Sequence, residues 1–160
     1  SCDIVSKVNM QELRNALQQA EKEIATRFDF RGSSASVEFE EGDGLLKVAG
    51  DHHAQLRSVI DVVESKLAKR GVPLKAFTWK PPEQLPSGGM KQSASLQQGL
   101  SSEHAREITK AIKTLGLKVQ PRIDGDTVRV VAKQIDDLQA VIQALKTRDF
   151  SVPLQAENYR

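Results

Sequence analysis

The sequence predicts an α+β fold made of two ferredoxin-like (βαββαβ) domains, each a four-stranded antiparallel sheet with two helices on one face. Three observations predict it. Apolar residues recur at helical spacing in four segments. Alternating runs face each other across glycine-rich turns. The same order of elements stands on either side of one stretch rich in proline and glycine.

In the first pass Asp3 to Lys7 reads as a short strand. Asn9 with Glu12 has capping-box spacing, and Met10, Leu13, Leu17, Ala20, Ile24 and Phe28 continue as a helical stripe. Val37 and Phe39 form one hairpin arm, Glu41-Gly42-Asp43-Gly44 the turn, and Leu46 and Val48 the other arm. Asp51 is placed to cap a second helix with the stripe Leu56, Val59, Ile60, Val63 and Leu67, which Gly71 and Pro73 end. Leu74 to Trp79 closes the unit as a strand. Lys80 to Met90, with three prolines and two glycines, reads as a linker. The predicted domains are therefore 1–80 and 91–160, joined by 81–90.

The second pass repeats the order. Gln92 to Gln98 is a strand, and Ser101 or Ser102 caps a helix with Ala105, Ile108, Ala111, Ile112 and Leu115 inward. Next comes LKVQPRIDGDTVRVV, residues 117–131. Asp124-Gly125 suits a type I′ turn, which sets Arg122 opposite Thr127 and Gln120 opposite Arg129. A helix carrying Ile135, Leu138, Val141, Ile142 and Leu145 follows, then a last strand from Val152 to Asn158.

Alternation in that hairpin gives its two faces different chemistry. Leu117, Val119, Pro121, Val128 and Val130 share the apolar face, whereas Lys118, Gln120, Arg122, Thr127 and Arg129 share the other. Three cations on an open sheet face suit phosphate, which guanidinium groups bind in the strong, charge-assisted manner. Lys133 follows the second arm, and Gln120 can read a base or ribose edge. A solvated sheet face also carries Lys and Arg for solubility alone, so spacing leaves both readings open. Phe28-Asp29-Phe30-Arg31 concentrates rings in a chain with 4% aromatics. Phe30 with Arg31 is the stacking surface this motif suggests; the structural alternative has Phe28 ending the helix stripe and Phe30 plugging the sheet edge.

Composition bounds the function. The chain has 160 residues, 28% charged and 39% apolar, which is the range of folded soluble domains. A net charge of +2 excludes a polybasic coat for nucleic acid, and the single cysteine excludes an internal disulfide. No apolar run approaches the roughly 20 residues that span a bilayer, and no secretory signal is visible, so a cytoplasmic protein with no membrane partner is expected. There is no Walker loop, no GxGxxG and no nucleophile elbow. His52-His53 lack ligand spacing. No catalytic set, metal or cofactor is expected. An adaptor docking a protein partner on its sheet faces is the alternative to a nucleotide-binding module.

Several segments resemble one known family. SCDIVSKVNMQELRNALQQAEKEIATRFDFRGS, KLAKRGV, LKVQPRIDGDTVRVVAK, DDLQAVI and PLQAENYR are similar to those of the YajQ family, and the likeness covers essentially the whole chain. The resemblance implies a bacterial, cytoplasmic, non-enzymatic protein whose two ferredoxin-like domains exchange their first strands, so that Gln92–Gln98 joins the first sheet and Asp3–Lys7 the second. It also implies nucleotide binding, with cyclic di-GMP, GTP, ATP or RNA as ligand and a transcription regulator as partner. Two positions depart from the family's usual pattern. Gln97-Gln98-Gly99-Leu100 replaces Lys-Gln-Gly-Ile, and Ala132-Lys133-Gln134-Ile135 replaces Gly-Lys-Lys/Ser-Arg, which removes two cations.

Overall fold

The computed structural model describes all of residues 1–160. Three of its four helices begin where polar side chains satisfy the first free backbone N–H groups. The Asn9 side chain accepts from the Glu12 N–H at 3.2 Å and opens α1 (Met10–Thr26). Ser101 accepts from the His104 N–H at 3.1 Å and opens α3 (Ser102–Lys113). The expected Asp51 cap of α2 (His53–Lys69) falls instead on His52, whose Nδ1 accepts from the Gln55 N–H. Asp51 is already occupied: its carboxylate accepts from the Ser34 N–H at 2.9 Å and the Ser34 hydroxyl at 2.6 Å. Those bonds hold its carboxyl below the usual carboxylate range. No helix is long and apolar enough to cross a membrane.

One compact unit comprises residues 8–96. Its sheet runs in the order β2 (Ser36–Glu40), β3 (Leu45–Gly50), β6 (Met90–Leu96), β4 (Phe77–Trp79), with neighbours antiparallel. Leu13, Ala16, Leu17, Ala20 and Ile24 of α1 and Leu56, Val59, Ile60, Val63 and Leu67 of α2 bury against Leu46, Val48, Ala94 and Phe77. The helices are also pinned to each other by Lys66 on Glu23 at 3.0 Å and Arg70 on Glu12 at 3.5 Å. Gly50 lets α2 start close beneath the sheet, since a Cβ there would lie 2.9 Å from the Leu56 nitrogen. The strand expected over 74–79 begins with a 3₁₀ turn at Leu74–Ala76. Part of the expected linker is ordered against the sheet: β5 (Glu83–Gln84) pairs with Lys91 and Met90 of β6, as a fifth strand.

The other unit comprises residues 97–160 together with 1–7. Its sheet order is β7 (Val119–Asp124), β8 (Thr127–Ala132), β1 (Cys2–Val5), β9 (Gln155–Glu157), again antiparallel. Helices α3 and α4 (Ile135–Thr147) bury Ala105, Ile108, Ala111, Ile112, Leu138, Val141 and Leu145 against Cys2, Ile4, Val128 and Val130. Leu115 and Ile135, expected inward, are 38% and 62% exposed because each stands at or beyond a helix end.

The two sheets therefore exchange their first strands. β1 is central in the 97–160 sheet and β6 in the 8–96 sheet, so the contiguous division into 1–80, 81–90 and 91–160 does not describe the compact units. Asp3 on β1 pairs with Arg129 on β8, whereas β6 sets Ser93 beside Lys47 at the equivalent place.

Candidate functional site

The β7–β8 hairpin closes one step later than the Asp-Gly dipeptide suggested. Asp124 pairs with Thr127, so Gly125 and Asp126 form the two-residue turn, and Arg122 faces Arg129 while Gln120 faces Val131. Gly125 alone has positive φ, at 61°. A type II′ turn asks positive φ only of its first central residue, whereas type I′ would force Asp126 there as well. The slip is two residues along the pairing, so every side chain keeps its predicted face.

On the open face the registers set Arg122, Arg129, Asp3 and Glu157 side by side across four strands. Arg129 is not a free cation. Its Nε donates to Asp3 Oδ1 at 3.0 Å, and its Nη2 lies 3.7 Å from Asp124 Oδ2. Asn158 Nδ2 donates to the other Asp3 oxygen at 2.9 Å, and Asp3 is 6% exposed. The Arg129 and Asn158 hydrogen bonds hold the Asp3 carboxyl below its usual range, and the same pairing pushes Arg129 up. Next to this group Lys7 binds Glu157 at 2.6 Å. The expected triad of phosphate-binding cations on the sheet therefore loses one member to an internal acid.

The remaining residues divide by place. Lys118, Gln120 and Lys133 come together in one cleft of about 870 Å³, whose other walls are Gly116, Leu117, Val119, Val131, Ala132, Gln134 and Asp137. It lies where β7 begins, β8 ends and α4 begins. Lys118 and Lys133 are exposed, while the ion pairs of this unit engage Lys7 and Arg129. Gln134 stands at the N-cap of α4 without a side-chain cap bond, and its carbonyl accepts from the Asp137 N–H at 3.2 Å. Arg122 is exposed one alternation beyond Gln120, on the same face but outside the lining. Asp137 adds a carboxylate acceptor. Two ammonium groups, two amide side chains, one carboxylate and an aliphatic floor can hold an anion and a polar ring together. No nucleophile with an adjacent base is among them.

Phe30 and Arg31 belong to the 8–96 unit. Phe30 is 4% exposed and part of the core, with the Arg27 guanidinium 4.6 Å above its ring, so it offers no face for stacking. Phe28, expected to end the helix stripe, is 84% exposed with Arg31 5.9 Å from its ring centre. The exchange has a local cause. α1 ends at Thr26, and Arg27 turns extended at φ −69°, ψ 133°, which breaks the helical phase that had set Phe28 inward.

Sequence reasoning also missed the backbone walls at Gly116 and Leu117 and the part of Gln134 and Asp137. The signal for them was present: Gly116 stops α3 early, and Gln134 precedes Ile135 where Ser, Thr, Asp or Asn would cap a helix.

Fold and cleft together define a two-unit ferredoxin-like protein with exchanged first strands and a lysine-lined cleft beside the α4 N-terminus. The chain belongs to the YajQ-like family: the family described as "Nucleotide-binding protein YajQ-like" matches residues 1–160. It is 49% identical over 162 residues to a nucleotide-binding protein of Frankia casuarinae, covering all of this chain and 98% of that one. A nucleotide-binding protein of Geotalea daltonii is 46% identical over 160 residues, with 100% and 98% covered. One of Chloroherpeton thalassium is 42% identical over 160 residues, with 100% and 97% covered.

Proposed function

We propose that this protein is a non-enzymatic nucleotide-binding module whose ligand occupies the cleft between β7, β8 and α4. The observation that carries this reading is the convergence of Lys118, Gln120 and Lys133 on one cleft without neutralising ion pairs. The two lysines suit phosphate. The names of the full-length relatives agree with that chemistry. Asp137 works against a bare phosphate, but its carboxylate accepts hydrogen bonds, and guanine offers N–H donors on the edge that such groups read. Cyclic di-GMP, with two phosphates and two guanines, is the most pointed candidate; GTP, ATP and short RNA are the comparisons. Arg122 extends the cationic surface, and Arg129 serves the fold through Asp3.

Calorimetric titration with cyclic di-GMP, GTP, ATP and a short RNA tests the assignment. Lys118→Ala/Lys133→Ala weakens binding at least about tenfold, since each charged hydrogen bond is worth roughly 1.5–3 kcal/mol before solvent discount. Arg122→Ala changes it much less. Equal binding by the lysine variant removes the site from the cleft. A second reading is an adaptor docking a protein such as a transcription regulator. Leu115 and Ile135, exposed aliphatic residues beside the cleft lining in the chain, favour it. Partner capture that ignores both salt and the lysine changes would support the adaptor, because phosphate contacts weaken steeply as salt rises.

A further inference from the structure

The strands that end the two sheets are not equally protected against a further strand. β4 and β9 have only three residues each. β7 carries Pro121, which sits in a paired strand only with its missing N–H turned outward. β2 has neither safeguard. It presents five residues, Ser36–Glu40, paired on one side with β3 alone. No backbone group of residues 36–40 bonds outside that ladder, so its outward N–H and C=O groups are open. The side chains of this edge say what would fit it. On the open face Glu40 is held by Lys47 at 2.6 Å, whereas Glu38 is exposed and forms no ion pair. On the other face Val37 and Phe39 are half-buried against the core. A second copy pairing antiparallel in full register through its own β2 would set Glu38 against Glu38, a like-charge pair directly opposite.

We propose that the β2 edge is a docking site for an extended basic peptide segment of another protein, which adds a strand beside β2. Lys or Arg of that segment lies opposite Glu38, and aliphatic residues at the alternate positions cover Val37 and Phe39. The backbone ladder supplies affinity, and the alternation supplies selectivity. The same acid that turns away a second copy selects a basic strand. This site is separate from the nucleotide cleft and does not depend on it.

Fluorescence anisotropy of the full chain with a labelled, end-blocked peptide of alternating lysine and valine tests it, using wild type, Glu38→Gln and Glu38→Lys. Glu38→Gln should weaken binding roughly two- to fivefold, the range of one cross-strand charge pair. Glu38→Lys should weaken it at least about tenfold, because like charges then meet across the new pairing. Alternate amides of a strand point to opposite edges, so methylating the peptide nitrogens on one edge should abolish binding while methylating those on the other should not. Amide hydrogen exchange should slow at residues 36–40 when the peptide is bound. Mononucleotide titration is unchanged in both variants. The proposal is overturned if wild type does not bind the peptide, or if Glu38→Lys binds it as well as wild type does. It is equally overturned if both methylated peptides bind like the parent, which would reduce the contact to charge alone, or if the slowed exchange falls outside β2.

Discussion

A chain lacking residues 1–7 should lose the 97–160 unit as a folded body while the 8–96 unit stays folded. β1 is the central strand between β8 and β9, and the three-residue β9 pairs with no other strand. Cys2, Ile4 and Val5 are all essentially buried. Burial of a Val or Ile side chain stabilises by roughly 1.5–3 kcal/mol. Their loss, with the Asp3 bonds and two strand ladders, is of the order of a whole domain's net stability of about 5–15 kcal/mol. Residues 8–96, by contrast, carry all five strands and both helices of their own sheet in one continuous stretch. Trp79 is the only tryptophan and lies in that unit; Tyr159 is the only tyrosine and lies in the other. Urea unfolding followed by tryptophan fluorescence should therefore show a cooperative transition in the truncated chain. Far-UV circular dichroism should show the loss of α3 and α4. Adding the peptide SCDIVSK to fragment 97–160 should restore structure. Cooperative folding of 97–160 without the peptide would contradict the exchanged topology.

Asp3→Ala is the single substitution expected to cost most at the polar centre of that sheet. It leaves Arg129 and Asn158 facing a nearly buried site with no acceptor between them. Removing one partner of a buried pair leaves the other unpaired, and the half-exposed Arg129 moderates the loss to about 2–3 kcal/mol. The pH dependence has a definite sign. Asp3 has a folded-state pKa below its ordinary value. Its contribution is complete above the unfolded carboxyl pKa of about 3.9 and is lost as pH falls through the lower folded value. Wild type should thus lose stability relative to Asp3→Ala below about pH 4, and the difference between them should be flat between about pH 5 and 8. A gap that persists unchanged in acid would assign the effect of Asp3 to packing instead of charge.

The stripes and the hairpin alternation were legible because periodicity records burial directly. Leu13, Leu17, Ile24, Leu56, Ile60, Ile108 and Val141 are buried as their spacing requires, and Val128 and Val130 face the helices while Arg122 and Arg129 do not. Phase survives a two-residue slip, so the faces were readable although the turn was misplaced. What local pattern could not carry is long-range pairing. Arg129 meets Asp3 across 126 positions, and only strand exchange, suggested by family likeness, brings them together. The cleft was half legible. Its lysines and glutamine follow from alternation, whereas its walls depend on where α3 stops and α4 starts. The swap of roles between Phe28 and Phe30 has the same origin: one extended residue after α1 resets the phase.

Backbone amide shift mapping during nucleotide titration tests the cleft most directly. Perturbations should concentrate at residues 116–120 and 131–137 and be absent in Lys118→Ala/Lys133→Ala. Perturbations centred on other parts of the chain, or unchanged in that variant, would contradict it.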